Sequence, residues 1–277
     1  MTVAMDASWR NWLQVNLARG CSVESVVESM VRGGFDKDVA SAAVRAVLAG
    51  EAPGSSSYEY DTCPVSPDPI VHAHDREIYS VLRVERPQLI LFGNVLSAEE
   101  CDQVIELSRG KLQRSTIVDP ETGHAETIKN RSSEGTYFTL SENPLIDRLD
   151  RRISALMNCP LENGEGLQIL RYGAGGEYRP HFDYFPPDQP GHAAHLVRGG
   201  QRTATLLVYL NDVERGGETV FPEADISISP RKGNAVYFRY FNNIGQLDPI
   251  TKHAGAPVLA GEKWIMTKWM RRYPYSG

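Results

Sequence analysis

From residue 166 onward the chain is written in short runs separated by glycine and proline: LQILRYG, EYRPHFDYF, RTATLLVYLN, DISISP, NAVYFRYF, ITKHAGAPV and EKWIMTKWMRR. Runs of this length, rich in β-branched and aromatic residues and cut by turn formers, make antiparallel strands. So many in succession restrict the fold to a sandwich or a barrel. Helical patterns come earlier. SAEE at 97–100 is a capping box that opens a helix to about Ser108, and a second helix is predicted from Pro144 to about Met157. PQLILFGNVL supplies an early strand, and STIVDPETGHAETIKNRSSEGTYF supplies two strand ends joined by a long polar loop. The fold class these signals predict is an all-β core with flanking helices, a double-stranded β-helix or jelly roll.

A smaller unit precedes it. Trp9, Trp12, Leu13 and Val15, then Val23, Val26, Val27, Met30 and Val31, then Val39, Ala43, Val44, Val47 and Leu48 follow i, i+3, i+4 spacing. Three short amphipathic helices within residues 1–50 follow, with turns at Arg19-Gly20 and Gly33-Gly34. The pattern loosely resembles a ubiquitin-associated-type bundle, so a packing appendage and a protein-binding module both stay open. GEAPGSSSYEYDTCPVSPDP has no periodicity and is rich in Gly, Pro and Ser. Residues 51–76 are therefore predicted as a linker and 77–277 as the main domain.

Composition narrows the function classes. With 277 residues, 41% of them hydrophobic, the chain can bury one substantial core and a small appended domain. A formal net charge of −6 argues against a nucleic-acid partner. No apolar run approaches the roughly 18 residues a membrane span needs. MTVAMDASWRNWLQ lacks the basic-then-apolar order of a signal peptide. Cys21, Cys63, Cys101 and Cys159 lie far apart without CxxC spacing, which fits neither a zinc site nor a disulfide framework. A cytoplasmic, reducing setting is the expectation.

Within YRPHFDYF, His181 and Asp183 flank one phenylalanine, and residues i and i+2 of a strand share a face. A neutral imidazole and a carboxylate both ligate divalent metals at neutral pH. Of the remaining histidines, His253 in the strand-like ITKHAGAPV is the best third ligand. Two histidines and one carboxylate form the facial triad of non-haem Fe(II) oxygenases. Lys263, ten residues beyond His253, offers a point charge to a dicarboxylate chelating the metal by its other end. Rival sets are weaker: His72, His74 and Asp75 sit at the linker edge, and His124 with Glu126 lies in a polar loop that cannot hold geometry. His192 and His195 belong to a loop placed near a substrate entrance.

RYGAGGEYRPHFDYF, GGQRTATLLVYLNDVERGGETVFP, SPRKGNAVYF and KHAGAPVLAGEKWIMTKWMRR follow one another in order, after RSSEGTYF. Together they resemble the prolyl 4-hydroxylase branch of the Fe(II)- and 2-oxoglutarate-dependent dioxygenases, over about residues 88–272. The resemblance implies that His181, Asp183 and His253 ligate Fe(II). It implies that Lys263 pairs with the distal carboxylate of 2-oxoglutarate, helped by Tyr172 and Thr205. Tyr178 and Trp269 fall at positions lining the substrate channel, and Arg131 and Ser132 support a mobile loop at about 116–130. Arg198 and Arg202 are divided between holding a substrate backbone and lying at the surface. The implied cosubstrates are 2-oxoglutarate and O2, with ascorbate as a reductant, and the implied substrate is a protein or peptide with an accessible proline. A small-molecule or free-amino-acid hydroxylase on the same scaffold, and a binding protein acting through its amino-terminal helices, are the alternatives. Related halogenases carry a small residue in place of the carboxylate, so Asp183 favours hydroxylation.

Overall fold

The computed structural model describes residues 7–48, 58–114, 117–118, 125–126, 132–186 and 190–275. The chain forms two compact units, residues 1–58 and 59–277. Among the described residues the first contains three helices, α1 (Ala7–Ala18), α2 (Val23–Arg32) and α3 (Lys37–Leu48). Leu13, Val26, Val27, Met30, Phe35, Ala40 and Val44 form its core. The Ser22 side chain caps α2 by accepting from the Ser25 amide. At the α2 end, Gly33 lies so near Trp9 that a Cβ would stand 2.6 Å from the indole ring, which explains the glycine.

The second unit begins with β1 (Ile70–Ala73), β2 (Arg76–Val84), β3 (Leu89–Gly93) and α4 (Ala98–Arg109). Short strands β4 (Gln113–Arg114), β5 (Ile117–Val118) and β6 (Ala125–Glu126) lead to β7 (Glu134–Phe138) and α5 (Pro144–Met157). Then come β8 (Leu167–Tyr172), β9 (Tyr178–His181), α6 (Ala193–Val197), β10 (Arg202–Tyr209), β11 (Arg215–Gly216), β12 (Thr219–Phe221) and β13 (Ile226–Ile228). The chain closes with β14 (Ala235–Arg239), β15 (His253–Gly255), β16 (Val258–Ala260) and β17 (Lys263–Arg271). A nine-stranded sheet runs β1-β2-β3-β14-β10-β17-β8-β7-β4, and a four-stranded sheet runs β13-β12-β15-β9. This is the predicted jelly-roll core.

Period-two alternation along β17 explains how the large sheet serves two cores. Trp264, Met266 and Met270 join the side chains of α4 and α5, among them Val104, Ile105, Ile146 and Ile153. Ile265 lies on the opposite face and packs with Leu207, Phe221, Ile228 and Phe238, which come from both sheets. All nine β17 residues are buried for this reason. Both predicted helices are present: Ser97 and Glu100 complete the capping box of α4, and Asn143 caps α5.

The predicted linker is too long. Residues 59–76 belong to the second unit, where β1 pairs with β2 and Val65 is buried. Asp61 pairs with Arg239 at the end of β14, and the Tyr60 hydroxyl donates to Asp248 (2.9 Å). Proline-rich composition marks a segment without helix or strand period, but such a segment still packs when its side chains satisfy charges on the body of the domain. The loop at 116–130 lies mostly outside the described residues, as does Arg131.

Candidate active site

β9 and β15 are antiparallel neighbours with His181 directly opposite His253, and their rings lie 4.3 Å apart. The strand ends at His181, so Asp183 does not share a strand face with it as the sequence spacing implied; it follows in a bend. His181 Nδ1 is 2.9 Å from the Arg179 carbonyl, and His253 Nδ1 is 3.0 Å from the Thr251 carbonyl. A carbonyl only accepts, so each Nδ1 carries the proton and each Nε2 presents a lone pair. Those nitrogens face the Asp183 carboxylate at 3.7 and 3.8 Å. One ligand atom from each of the three residues lies within 4.8 Å of the others. Three electron-pair donors converge with no hydrogen between them, an arrangement that a divalent cation stabilises. The residues therefore fit iron, and this is the sole such cluster among the described residues.

Burial alone would raise the Asp183 pKa, but the two imidazoles, Arg202 and the Thr205 hydroxyl outweigh it and hold the carboxyl below its ordinary value. Thr205 was expected beside Lys263. Its hydroxyl instead donates to Asp183 Oδ2 at 2.7 Å and lies 3.1 Å from the Tyr240 hydroxyl. The reason is register: in mid-β10, Thr205 sits between Trp269 and Phe238, well away from the start of β17.

Lys263 opens β17 opposite Tyr172 and is 3% exposed. Burial pushes its pKa down to about 8, with Glu218 pulling weakly the other way. No described carboxylate lies within ion-pair distance of it, so a buried ammonium lines the cavity without an anion. Its Nζ lies 6.0 Å from the Tyr172 ring and 5.8 Å from the Tyr209 ring. Thr219, whose hydroxyl accepts from Tyr209 at 2.8 Å, also lines this cavity. The donor set fits the far carboxylate of a dicarboxylate.

The cavity is about 670 Å³ and holds both the triad and Lys263. Aromatic side chains also line it. Tyr178 stacks on His181 at 3.7 Å, and Phe185 lies between His192 and His195 at 5.4 and 5.3 Å. Trp269 is covered by the Arg202 guanidinium at 3.8 Å, and its buried indole N–H has no hydrogen-bond partner among the described residues. Glu165 accepts from Arg202 (2.7 and 2.9 Å) and from Arg271 (2.6 Å). Burial would raise the Glu165 pKa, yet the two guanidiniums hold it below the ordinary range. Arg202 is therefore a half-buried cation tied to Glu165 rather than a surface group, whereas Arg198 is exposed.

Ser132 bonds the backbone of Glu177, fastening the segment that precedes β7 to the approach to β9. The rival histidines are elsewhere: His72 is exposed and pairs with Glu77, and Asp75 is taken by Arg152. His124 lies outside the described residues. Sequence reading passed over Thr219, Glu165 and Tyr240. Thr219 stood in the quoted GGETVFP motif, but nothing in spacing aims one threonine at Lys263 rather than another. Glu165 is a lone acid before an apolar strand, and Tyr240 lies beyond the end of β14; neither carries a local signal.

A jelly roll carrying a facial triad beside a buried cation that no described carboxylate pairs defines a non-haem metal enzyme that takes an anionic cosubstrate. Residues 167–271 match the 2OG-Fe(II) oxygenase superfamily. The chain is 39% identical over 203 residues to probable prolyl 4-hydroxylase 3 of Arabidopsis thaliana, covering 66% of this chain and 69% of that protein. It is 40% identical over 186 residues to prolyl 4-hydroxylase subunit alpha-1 of Gallus gallus, covering 67% of this chain but only 36% of the relative. Among solved structures, the 2OG complex of the viral collagen prolyl hydroxylase from Paramecium Bursaria Chlorella virus-1 is 31% identical, with a TM-score of 0.52, covering 66% of this chain and 95% of that one. The chain belongs to the prolyl 4-hydroxylase branch of the 2OG-Fe(II) oxygenases, whose cofactor is Fe(II) and whose cosubstrate is 2-oxoglutarate.

Proposed function

We propose that this chain hydroxylates a prolyl residue at its 4-position in a protein or peptide, with His181, Asp183 and His253 as the iron ligands. The observation that carries this reading is Lys263, a buried ammonium with no acidic partner among the described residues, in the cavity that holds the triad. Lys263, with Tyr172 and Thr219, would hold the far carboxylate of 2-oxoglutarate and so point its keto-acid end at the triad. The iron centre, when loaded, couples decarboxylation of 2-oxoglutarate to succinate and CO2 with insertion of one oxygen atom of O2 into a C–H bond. The chain's part is orientation. The Arg179 and Thr251 carbonyls fix both imidazoles as Nδ1–H tautomers, so that each Nε2 faces the Asp183 carboxylate. Tyr178 and Trp269 supply flat apolar walls beside the metal, suited to the ring of a proline.

No helix among the described residues is long and apolar enough to cross a membrane. A cytoplasmic setting is part of the same reading, supported by four cysteines that are all free thiols. The test is stoichiometry: incubation with prolyl peptides should yield succinate and hydroxyproline in equal amounts, and His181→Ala should abolish both. Substrate-coupled succinate production that survives in His181→Ala would sink the assignment. Turnover of free proline but of no peptide would transfer it to a free-amino-acid hydroxylase.

A further inference from the structure

A threonine fully buried in the middle of a central strand is costly unless its hydroxyl is bonded. Thr205 is such a residue, at 0% exposure. Its hydroxyl lies 2.7 Å from Asp183 Oδ2, an ionised oxygen that only accepts, so Thr205 donates. The Thr205 oxygen is then left to accept, and the Tyr240 hydroxyl at 3.1 Å is the donor. Burial and the nearby Asp183 charge both keep that phenol protonated, as a donor must be. Tyr240 is itself anchored: its amide donates to the Thr203 carbonyl (3.1 Å) and its carbonyl accepts from the Asp248 amide (2.9 Å). The direction of donation thus runs one way, from Tyr240 through Thr205 to the carboxylate.

Asp183 needs such a support more than either histidine does. Each imidazole sits on a paired strand and has a backbone carbonyl at its Nδ1. The carboxylate stands past the end of β9, in a bend, where no ladder bond fixes it. Arg202 holds the Asp183 backbone carbonyl (3.1 Å), and among the described residues the Thr205 hydroxyl is the only hydrogen-bond donor to its carboxylate.

We infer that Thr205, oriented by Tyr240, is the positioning residue that fixes the Asp183 carboxylate for metal binding. This rests on the proposed metal site. It assigns to Thr205 a task different from cosubstrate binding, and gives Tyr240 a task where it had none. Supporting groups of this kind are worth about 10- to 100-fold in metal affinity.

The test titrates Co(II) alone into the metal-free protein, without 2-oxoglutarate, and reads the dissociation constant by calorimetry. Thr205→Val keeps the shape and removes the donor, and should weaken binding about 10- to 100-fold, with Thr205→Ser restoring it. Tyr240→Phe should weaken it less, since Thr205 can still donate. Thr205→Val strands the Tyr240 hydroxyl; if that variant fails to fold, Thr205→Val with Tyr240→Phe removes both partners and carries the measurement. Asp183→Ala separates the two claims. If Asp183→Ala abolishes Co(II) binding while the threonine variants bind like wild type, the inference is wrong and the site stands. If Asp183→Ala binds like wild type, the metal site itself is misassigned.

Discussion

Replacing Lys263 with methionine should move stability and cosubstrate affinity in opposite directions. The ammonium is 3% exposed and has no carboxylate partner among the described residues. A fall in its pKa from 10.5 to about 8 corresponds to about 3 kcal/mol against the charged form. Because the folded pKa lies below the unfolded one, this penalty is fully present below pH 8 and is relieved between about pH 8 and 10.5. Methionine fills a similar volume without the charge, so the metal-free variant should be more stable at pH 7 by about 1 to 3 kcal/mol. That is a rise in Tm of several degrees at about 2–4 °C per kcal/mol for a chain of this size. Above pH 8 the gap between variant and wild type should narrow. Binding of 2-oxoglutarate should lose about 2 to 5 kcal/mol, or roughly 30- to several-thousand-fold in Kd. Thermal scans of the apoprotein and titration of 2-oxoglutarate into Mn(II)-loaded protein, which does not turn over, read the two quantities. A variant less stable than wild type that binds 2-oxoglutarate equally well would refute the reasoning, since Lys263 would then be a structural cation.

Three further outcomes follow from the same geometry. Wild-type affinity for 2-oxoglutarate should fall toward tenfold per pH unit above about pH 8, as Lys263 loses its proton, and should stay flat in Lys263→Met; an affinity constant from pH 7 to 10 would contradict this. Glu165→Ala strands buried Arg271 and half-buried Arg202 and should cost about 3 to 5 kcal/mol by denaturant unfolding. Since the Glu165 pKa is lowered on folding, its contribution is present above about pH 4.5 and is lost as pH falls, so wild type and Glu165→Gln should converge in acid. Deleting residues 1–55 should leave metal and 2-oxoglutarate affinity unchanged, because every site residue lies within 59–277; a loss of either would mean that the second unit depends on the first.

The triad residues were legible chiefly through the ordered motifs that resemble the family; spacing alone offered His181 with Asp183 as a pair and His253 as the best third candidate. Even there the spacing argument reached a pair that the structure brings together for a partly wrong reason, since Asp183 lies past the strand end. Lys263 was legible because it stands ten residues beyond that histidine in the quoted KHAGAPVLAGEKW motif, although β17 belongs to the other sheet. Thr205 and Thr219 could not be told apart. Each stands in a strand of the quoted motifs, and only the register of β10 against β17 and of β12 against β15 decides which hydroxyl faces Asp183 and which faces the cavity. Arg202, Arg271 and Glu165 were out of reach for another reason. A buried ion cluster looks like three solvated charges until the strands that bring it together are paired. The linker boundary failed because composition reports conformational freedom, whereas Asp61 and Tyr60 are held by partners nearly two hundred residues away.

The central claim is that one cavity holds iron on His181, Asp183 and His253 and 2-oxoglutarate on Lys263. The most direct measurement is anaerobic: Fe(II) is added to the apoprotein, then 2-oxoglutarate, and the visible metal-to-ligand charge-transfer absorption is recorded. The account predicts a weak visible band in wild type, no band in Asp183→Ala, and a band in Lys263→Met only at much higher 2-oxoglutarate. A folded wild type without the band, or an undiminished band in Asp183→Ala, would contradict it.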